Sequence, residues 1–99
     1  MTKEEHILQC LQEEASEVIK AASKINRFGL RAFNPLTGEC NEDILWKECH
    51  DLLAVMQMIN DMFNLGLGEG DKAETAIKEK KRKVLEYIEQ YAKPRGVID

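Results

Sequence analysis

The sequence lacks the features of a membrane protein, a disulfide scaffold and a nucleic-acid-binding protein. No apolar run reaches the ~18–20 residues that a membrane-spanning helix needs. Cys10, Cys40 and Cys49 make an odd count without a CxxC pair, which argues against a disulfide framework and a zinc motif. The net charge of -4 lacks the positive surplus that a phosphate backbone or an anionic membrane demands. The opening MTKEEH does not resemble a signal peptide, so we expect a cytoplasmic protein.

The residues that are present favour one small helical domain. A chain of 99 residues, 43% hydrophobic and 32% charged, suits a single domain over residues 1–99. Strand signals and internal repeats are absent. A chain of this length buries only roughly 60–65% of the surface that its unfolded form exposes, so wide apolar faces favour self-association. We therefore expect an all-α bundle of three long helices plus short segments, completed by oligomerisation.

The first helix has clear start and stop signals. Thr2 as N-cap and Glu5 three residues later form a capping box, and Gly29 is a natural stop. Residues 30–40 then form a loop that is longer than most helix connections. Two interpretations of this loop stay open, a lid or binding segment and a simple spacer.

Two further helices follow the loop. Asn41 is predicted to be the N-cap of the second helix, which runs to about Asn64. Asp71 is predicted to cap the third helix with Glu74 at its third position, and Pro94 to end it.

Four acidic residues of the first two helices lie beside apolar positions. The apolar arc of the second helix is unusually wide, comprising Ile44, Leu45, Cys49, Leu52, Leu53, Val55, Met56, Met58, Ile59, Met62 and Phe63. Glu48 and Asp51 fall inside this arc, and Glu14 and Glu17 lie at the edge of the first helix's apolar stripe. Each pair has i,i+3 spacing and projects from one side of its helix. If the two helices pack antiparallel, the four carboxylates converge.

Convergent carboxylates repel one another, and burial makes the repulsion worse unless they are protonated or bound to a cation. An all-oxygen set fits Mg²⁺, with Mn²⁺ as a substitute, far better than zinc. The alternative is a solvated acidic face whose carboxylates pair with Lys20 and Lys24. The pattern alone leaves both interpretations open.

Residues 13–18 (EEASEV) and 48–53 (ECHDLL) resemble the EExxE and ExxDLL motifs of the MazG-like, all-α nucleoside triphosphate pyrophosphohydrolase superfamily. This resemblance implies a Mg²⁺-dependent enzyme that cleaves a nucleoside or deoxynucleoside triphosphate to a monophosphate and pyrophosphate. It assigns both metal binding and catalysis to Glu14, Glu17, Glu48 and Asp51. It also implies a four-helix core in a dimer or tetramer. Basic residues on the following helix would hold the phosphates, and Lys80 and Lys83 occupy such positions.

Other interpretations remain open for the same residues. Lys80 and Lys83 also suit a solvated face, since they lie in a charged run. A phosphoribosyl-ATP pyrophosphatase shares the same motif arrangement. A helical interaction module without catalysis would use the wide apolar arc for a partner. Trp46 extends that arc on the side away from the acids, and a monomer would leave a patch of Trp46, Leu53 and neighbouring apolar residues in water, which predicts a homo-oligomer.

Overall fold

The computed structural model describes residues 1–99, and its regular structure is entirely helical. The elements are α1 (Lys3–Phe28), α2 (Asn41–Phe63), α3 (Gly70–Tyr87) and a π-helical turn (Ile88–Ala92). The only strand-like feature is an isolated antiparallel bridge between Phe33 and Cys40. The predicted all-α class with three long helices is therefore confirmed. None of the helices is long and apolar enough to cross a membrane.

Both ends of α1 follow the sequence signals. The Thr2 hydroxyl accepts a hydrogen bond from the Glu5 backbone N–H at 3.1 Å and donates one to the Glu5 carboxylate at 3.2 Å. This reciprocal pair satisfies a backbone donor that the first turn would otherwise leave free. At the other end Gly29 adopts φ +101°, and its N–H donates to the Ile25 carbonyl at 2.8 Å. That backbone angle favours glycine, which explains why the helix stops there.

The start of α2 differs from the prediction. Cys40, not Asn41, is the N-cap, and its side chain makes no capping hydrogen bond. Asn41 is the first helical residue, it is buried, and its Nδ2 donates to the Gly29 carbonyl at 3.0 Å. The end of α1 therefore uses the amide that the sequence pattern assigned to a cap. The end of α2 agrees with the prediction, because Asn64 follows Phe63 in the left-handed conformation.

The start of α3 also lies earlier than predicted. The helix begins at Gly70 with Glu69 as N-cap, so Asp71 lies in the first turn. No side chain caps this helix. Asp71 still carries a negative charge at the positive end of the helix dipole. The π-helical turn ends at Ala92, before Pro94.

The chain divides into two compact units, residues 1–65 and residues 66–99. In the first unit α1 packs against α2. The Asn41 and Glu42 backbone N–H groups donate to the Ala32 and Leu30 carbonyls at 2.9 and 3.0 Å, which holds the start of α2 beside the end of α1. The two helices are therefore antiparallel. Three side chains of this hairpin form its buried apolar core, namely Ile7, Ala21 and Ile59.

The second unit contains α3 and the π-helical turn, which continues the helix directly from Tyr87. Ala92 is its buried residue. The rings of Tyr87 and Tyr91 stack with centroids 5.7 Å apart, and the Arg95 guanidinium lies 5.3 Å from the Tyr91 ring centre. These contacts hold the end of the helix together through aromatic and cation–π attraction.

A row of large apolar side chains on α2 is exposed. Its members, called here the α2 stripe, are Trp46, Leu53, Met56 and Phe63, with 66%, 48%, 36% and 43% of their surface exposed. Their spacing of seven, three and seven residues places them along one side of the helix. The core of the hairpin therefore does not use the whole apolar arc of α2.

Candidate metal centre

Three of the four predicted acidic residues come together across the α1–α2 hairpin. One carboxylate oxygen each from Glu14, Glu48 and Asp51 lies within 4.8 Å of the other two. Glu48 and Asp51 are one turn apart on α2, and the antiparallel packing brings Glu14 of α1 opposite them. All three residues are half-buried, and the Glu48 side chain is the most enclosed of the α2 pair, at 15% exposure against 41% for Asp51.

Glu17 does not belong to this group of three. It lies one turn further along α1 from Glu14, and its carboxylate is 3.9 Å from the Lys20 ammonium. With 46% of its side chain exposed, Glu17 is held only by this distant surface pair. Since i,i+3 residues share a side of a helix, Glu17 remains on the same side of α1 as Glu14.

Lys47 is the cation that the sequence interpretation missed. Its ammonium lies 2.9 Å from an Asp51 oxygen and 3.5 Å from a Glu48 oxygen. The hydrogen bond to Asp51, with the negative charges of Asp51 and Glu48, raises the pKa of Lys47 above its ordinary value. The i,i+4 spacing of Lys47 and Asp51 was the signal for this contact. A helical wheel places Lys47 on the polar side of α2, because a wheel treats each side chain as a fixed direction, whereas a lysine stem reaches sideways.

The acidic group carries an excess of negative charge that a divalent cation would neutralise. Three carboxylates opposed by one ammonium carry a net charge of -2 when all are ionised. Carboxylate oxygens are the ligands that Mg²⁺ prefers, and Mg²⁺ keeps several coordination positions for water and substrate phosphates. Three partly enclosed carboxylates, open to solvent on the Asp51 side, fit that requirement. Neither histidine nor cysteine belongs to the group, and all three cysteines are free.

A groove of about 470 Å³ lies at the loop end of the same hairpin. It is called here the loop groove, and its walls are Lys24, Phe28, Ala32, Phe33, Asn34, Pro35, Asn41 and Ile44. The loop keeps its shape through its own hydrogen bonds, since Asn34 N–H donates to the Glu39 carbonyl at 2.9 Å and Gly38 N–H to the Asn34 carbonyl at 2.7 Å. Residues 30–40 therefore form one wall of a concave surface.

Lys80 and Lys83, the predicted phosphate-binding residues, lie on α3 in the second unit and are exposed. Neither forms a salt bridge, and nor does Lys81, whereas Lys78 and Arg82 do. Lys78 pairs with Glu74 at 3.3 Å, and Arg82 bonds to both Glu79 and Glu86. The bond from Arg82 lowers the pKa of Glu79. Three ammonium groups of the basic run, those of Lys80, Lys81 and Lys83, are therefore outside any salt bridge, although the charge of Lys83 also acts on Glu79.

No family model, curated protein or solved structure matches the chain. The functional interpretation therefore depends on the residues of this chain and their geometry.

Proposed function

We propose that this chain is a Mg²⁺-dependent nucleotide pyrophosphohydrolase of the MazG-like type, cleaving a nucleoside or deoxynucleoside triphosphate to a monophosphate and pyrophosphate. The observation that supports it best is the meeting of Glu14, Glu48 and Asp51 within 4.8 Å across two helices. Like charges so close are unfavourable in a partly desolvated place, and a divalent cation relieves the repulsion. The EExxE and ExxDLL resemblance of residues 13–18 and 48–53 supports the substrate class.

In this proposal Glu14, Glu48 and Asp51 hold the cation, with Mn²⁺ as a substitute for Mg²⁺. When bound, the ion would neutralise phosphate charge and lower the pKa of an attacking water. Glu17 lies one turn away on the same side of α1 and outside the group of three. It is the carboxylate left to accept the proton of that water. Lys47 gives up its contacts with Glu48 and Asp51 when the cation binds, because the two cations compete for the same oxygens.

The roles of Lys80 and Lys83 remain predictions. They are supported by the resemblance and by the absence of salt bridges to either ammonium. An ammonium without a carboxylate partner is suited to binding phosphate oxygens as a point charge.

We also propose that the protein works as a homo-oligomer. The α2 stripe exposes four large apolar side chains along one helix face, and soluble monomers rarely expose a contiguous patch of more than a few hundred Å². A second copy would cover the stripe about a two-fold axis, because each copy presents the same surface. The four-helix core that the resemblance implies would then come from two α1–α2 hairpins.

The experiment is a substrate panel with the purified chain and millimolar Mg²⁺. Each ribo- and deoxyribonucleoside triphosphate, and phosphoribosyl-ATP, is incubated separately, and pyrophosphate and orthophosphate are both measured. We expect pyrophosphate from at least one nucleoside triphosphate. Turnover of phosphoribosyl-ATP and of no nucleoside triphosphate would instead show a phosphoribosyl-ATP pyrophosphatase.

A further inference from the structure

Two rows of side chains run from the acidic group to the loop groove. On α1 the row is Glu14, Glu17, Ala21, Lys24 and Phe28, and on α2 it is Asp51, Glu48, Ile44 and Asn41. Their alternating spacings of three and four residues keep each row on one side of its helix. At a rise of 1.5 Å per residue, Ile44 lies about 6 Å along α2 from Glu48, and Lys24 about 15 Å along α1 from Glu14. The acidic group and the groove therefore lie along the same seam between α1 and α2, about 6 Å apart on α2 and about 15 Å apart on α1.

The loop groove contains two side-chain amides whose hydrogen-bonding capacity the protein uses only in part. Asn41 is buried at 8% exposure, and its Nδ2 donates to the Gly29 carbonyl, so Oδ1 is the acceptor left over. Asn34 is the reverse case, because its Oδ1 accepts the Leu36 N–H at 2.8 Å and its Nδ2 is left to donate. Each amide is oriented by a backbone contact, so neither flips without losing that bond. Both residues line the groove.

Aromatic walls complete the groove. Phe28 and Phe33 line it, and their side chains are 66% and 67% exposed. An aromatic ring in a groove of about 470 Å³ offers a stacking surface to a flat heterocycle, and this volume lies in the range of small-molecule sites. Lys24, which forms no salt bridge, adds a positive charge on the side of the acidic group. Apolar faces with a few oriented polar groups are the usual composition of a ligand site.

We propose that the loop groove binds the nucleobase of the substrate, an inference that rests on the proposed pyrophosphohydrolase function. The base stacks on Phe33, because the Arg27 guanidinium already lies over the Phe28 ring, 5.2 Å from its centre. Asn34 and Asn41 bind an acceptor and a donor on the edge of the base. The sugar extends toward Lys24 and Ile44, which places the phosphate chain at Glu14, Glu48 and Asp51. In this arrangement residues of the loop select the nucleobase, and the carboxylates carry out the cleavage of the phosphate chain.

The test separates base binding from catalysis by omitting both metal and phosphates. Adenosine, guanosine, cytidine, uridine and thymidine are titrated in turn into the labelled full chain in EDTA, and amide chemical shifts are followed by NMR. We expect saturable shifts centred on Phe33, Asn34 and Asn41 for at least one nucleoside. Phe33→Ala should weaken that binding about 10-fold, which is within the range that loss of one base–aromatic stacking contact produces.

Two further variants distinguish base readout from loss of fold. Asn34→Asp keeps the oxygen that accepts the Leu36 N–H but removes the donor, so we expect a changed order of preference among the nucleosides. Leu36→Ala is the matched control, because Leu36 lies in the same loop, is 93% exposed and does not line the groove. Binding by this control should equal that of the unmodified chain.

The outcomes also separate this inference from the proposed function. Pyrophosphate release from a triphosphate, without chemical-shift changes in the groove on addition of any nucleoside, would overturn the base site but not the proposed reaction. An equal effect of Phe33→Ala and Leu36→Ala would overturn the base site as well. Groove shifts without pyrophosphate release from any triphosphate would support the base site and overturn the proposed reaction.

Discussion

Glu14→Gln should stabilise the metal-free protein and weaken its stabilisation by Mg²⁺. Glu14 faces two carboxylates within 4.8 Å and forms no salt bridge, whereas Glu48 and Asp51 share Lys47. At the dielectric constant of water, each pair of unit charges at that separation costs about 0.9 kcal/mol. Salt screening reduces the two pairs together to a gain of about 1 kcal/mol in the free energy of unfolding. Glutamine keeps the shape and the helix propensity, so the change is one of charge.

The assay is thermal unfolding followed by far-UV circular dichroism, in EDTA and in a Mg²⁺ titration. One kcal/mol corresponds to about 4–8 °C in midpoint for a chain of this size. In EDTA the variant should therefore melt several degrees above the unmodified protein. Mg²⁺ at ten times its dissociation constant should stabilise the unmodified protein by about 1.4 kcal/mol, while the variant responds weakly. In Mg²⁺ the unfolding midpoints of the variant and the unmodified protein should therefore lie close together or in the opposite order.

Glu13→Gln is the matched control, because Glu13 is the exposed neighbour on the same helix and lies outside the group of three. It should change neither the midpoint in EDTA nor the response to Mg²⁺. If the two variants behave alike in EDTA and Mg²⁺ stabilises them equally, the reasoning about convergent carboxylates is refuted.

Three other results are expected. Lys47→Met should lower the Mg²⁺ concentration needed for half-maximal stabilisation, because it removes the competing ammonium; an unchanged or higher concentration would contradict this. Trp46→Glu should reduce the mass measured by light scattering from a multiple of the 11.3 kDa chain toward that value, whereas Ile19→Glu, equally exposed on α1, should not. A monomeric unmodified chain would refute the oligomer. The ion pair of Glu79 and Arg82 stabilises α3 fully above the ordinary Glu pKa of 4.5, and this stabilisation is lost as pH falls through the lowered pKa of Glu79. Helix content should therefore fall less on acidification in Arg82→Gln than in the unmodified chain. Equal acid titrations of the two proteins would show that the pair does not stabilise the helix.

Local signals in the sequence predicted the helices well. The N-cap at Thr2 and the stop at Gly29 depend on neighbours a few residues away, and the structure confirms both. The Glu5 carboxylate accepts from the Thr2 hydroxyl and not from the Thr2 backbone N–H of a full capping box. The meeting of Glu14 with Glu48 and Asp51 followed from i,i+3 spacing plus one assumption, antiparallel packing of the first two helices. That assumption holds because hydrogen bonds of residues 30–42 bring the end of α1 to the start of α2.

The sequence did not predict features that depend on contacts across the loop or on side-chain reach. Asn41 has the composition of a helix cap, but the carbonyl of Gly29 competes for its amide. Lys47 reaches two carboxylates because its stem is long, and Glu17 stays apart from Glu14 although both occupy the same side of α1. The loop groove could not be predicted from the sequence, because its walls come from three segments of the chain that no periodic pattern relates to one another.

We propose that Glu48 and Asp51 hold Mg²⁺ in a site that cleaves a nucleoside triphosphate between its α and β phosphates. The most direct measurement is product analysis after incubation of the accepted triphosphate with and without Mg²⁺, for the unmodified chain, Glu48→Gln and Asp51→Asn. We predict a monophosphate and pyrophosphate in equal amounts, only with the cation and only from the unmodified chain, while all three proteins keep the same helical circular dichroism. A diphosphate with orthophosphate, or undiminished turnover in both variants, would contradict the claim.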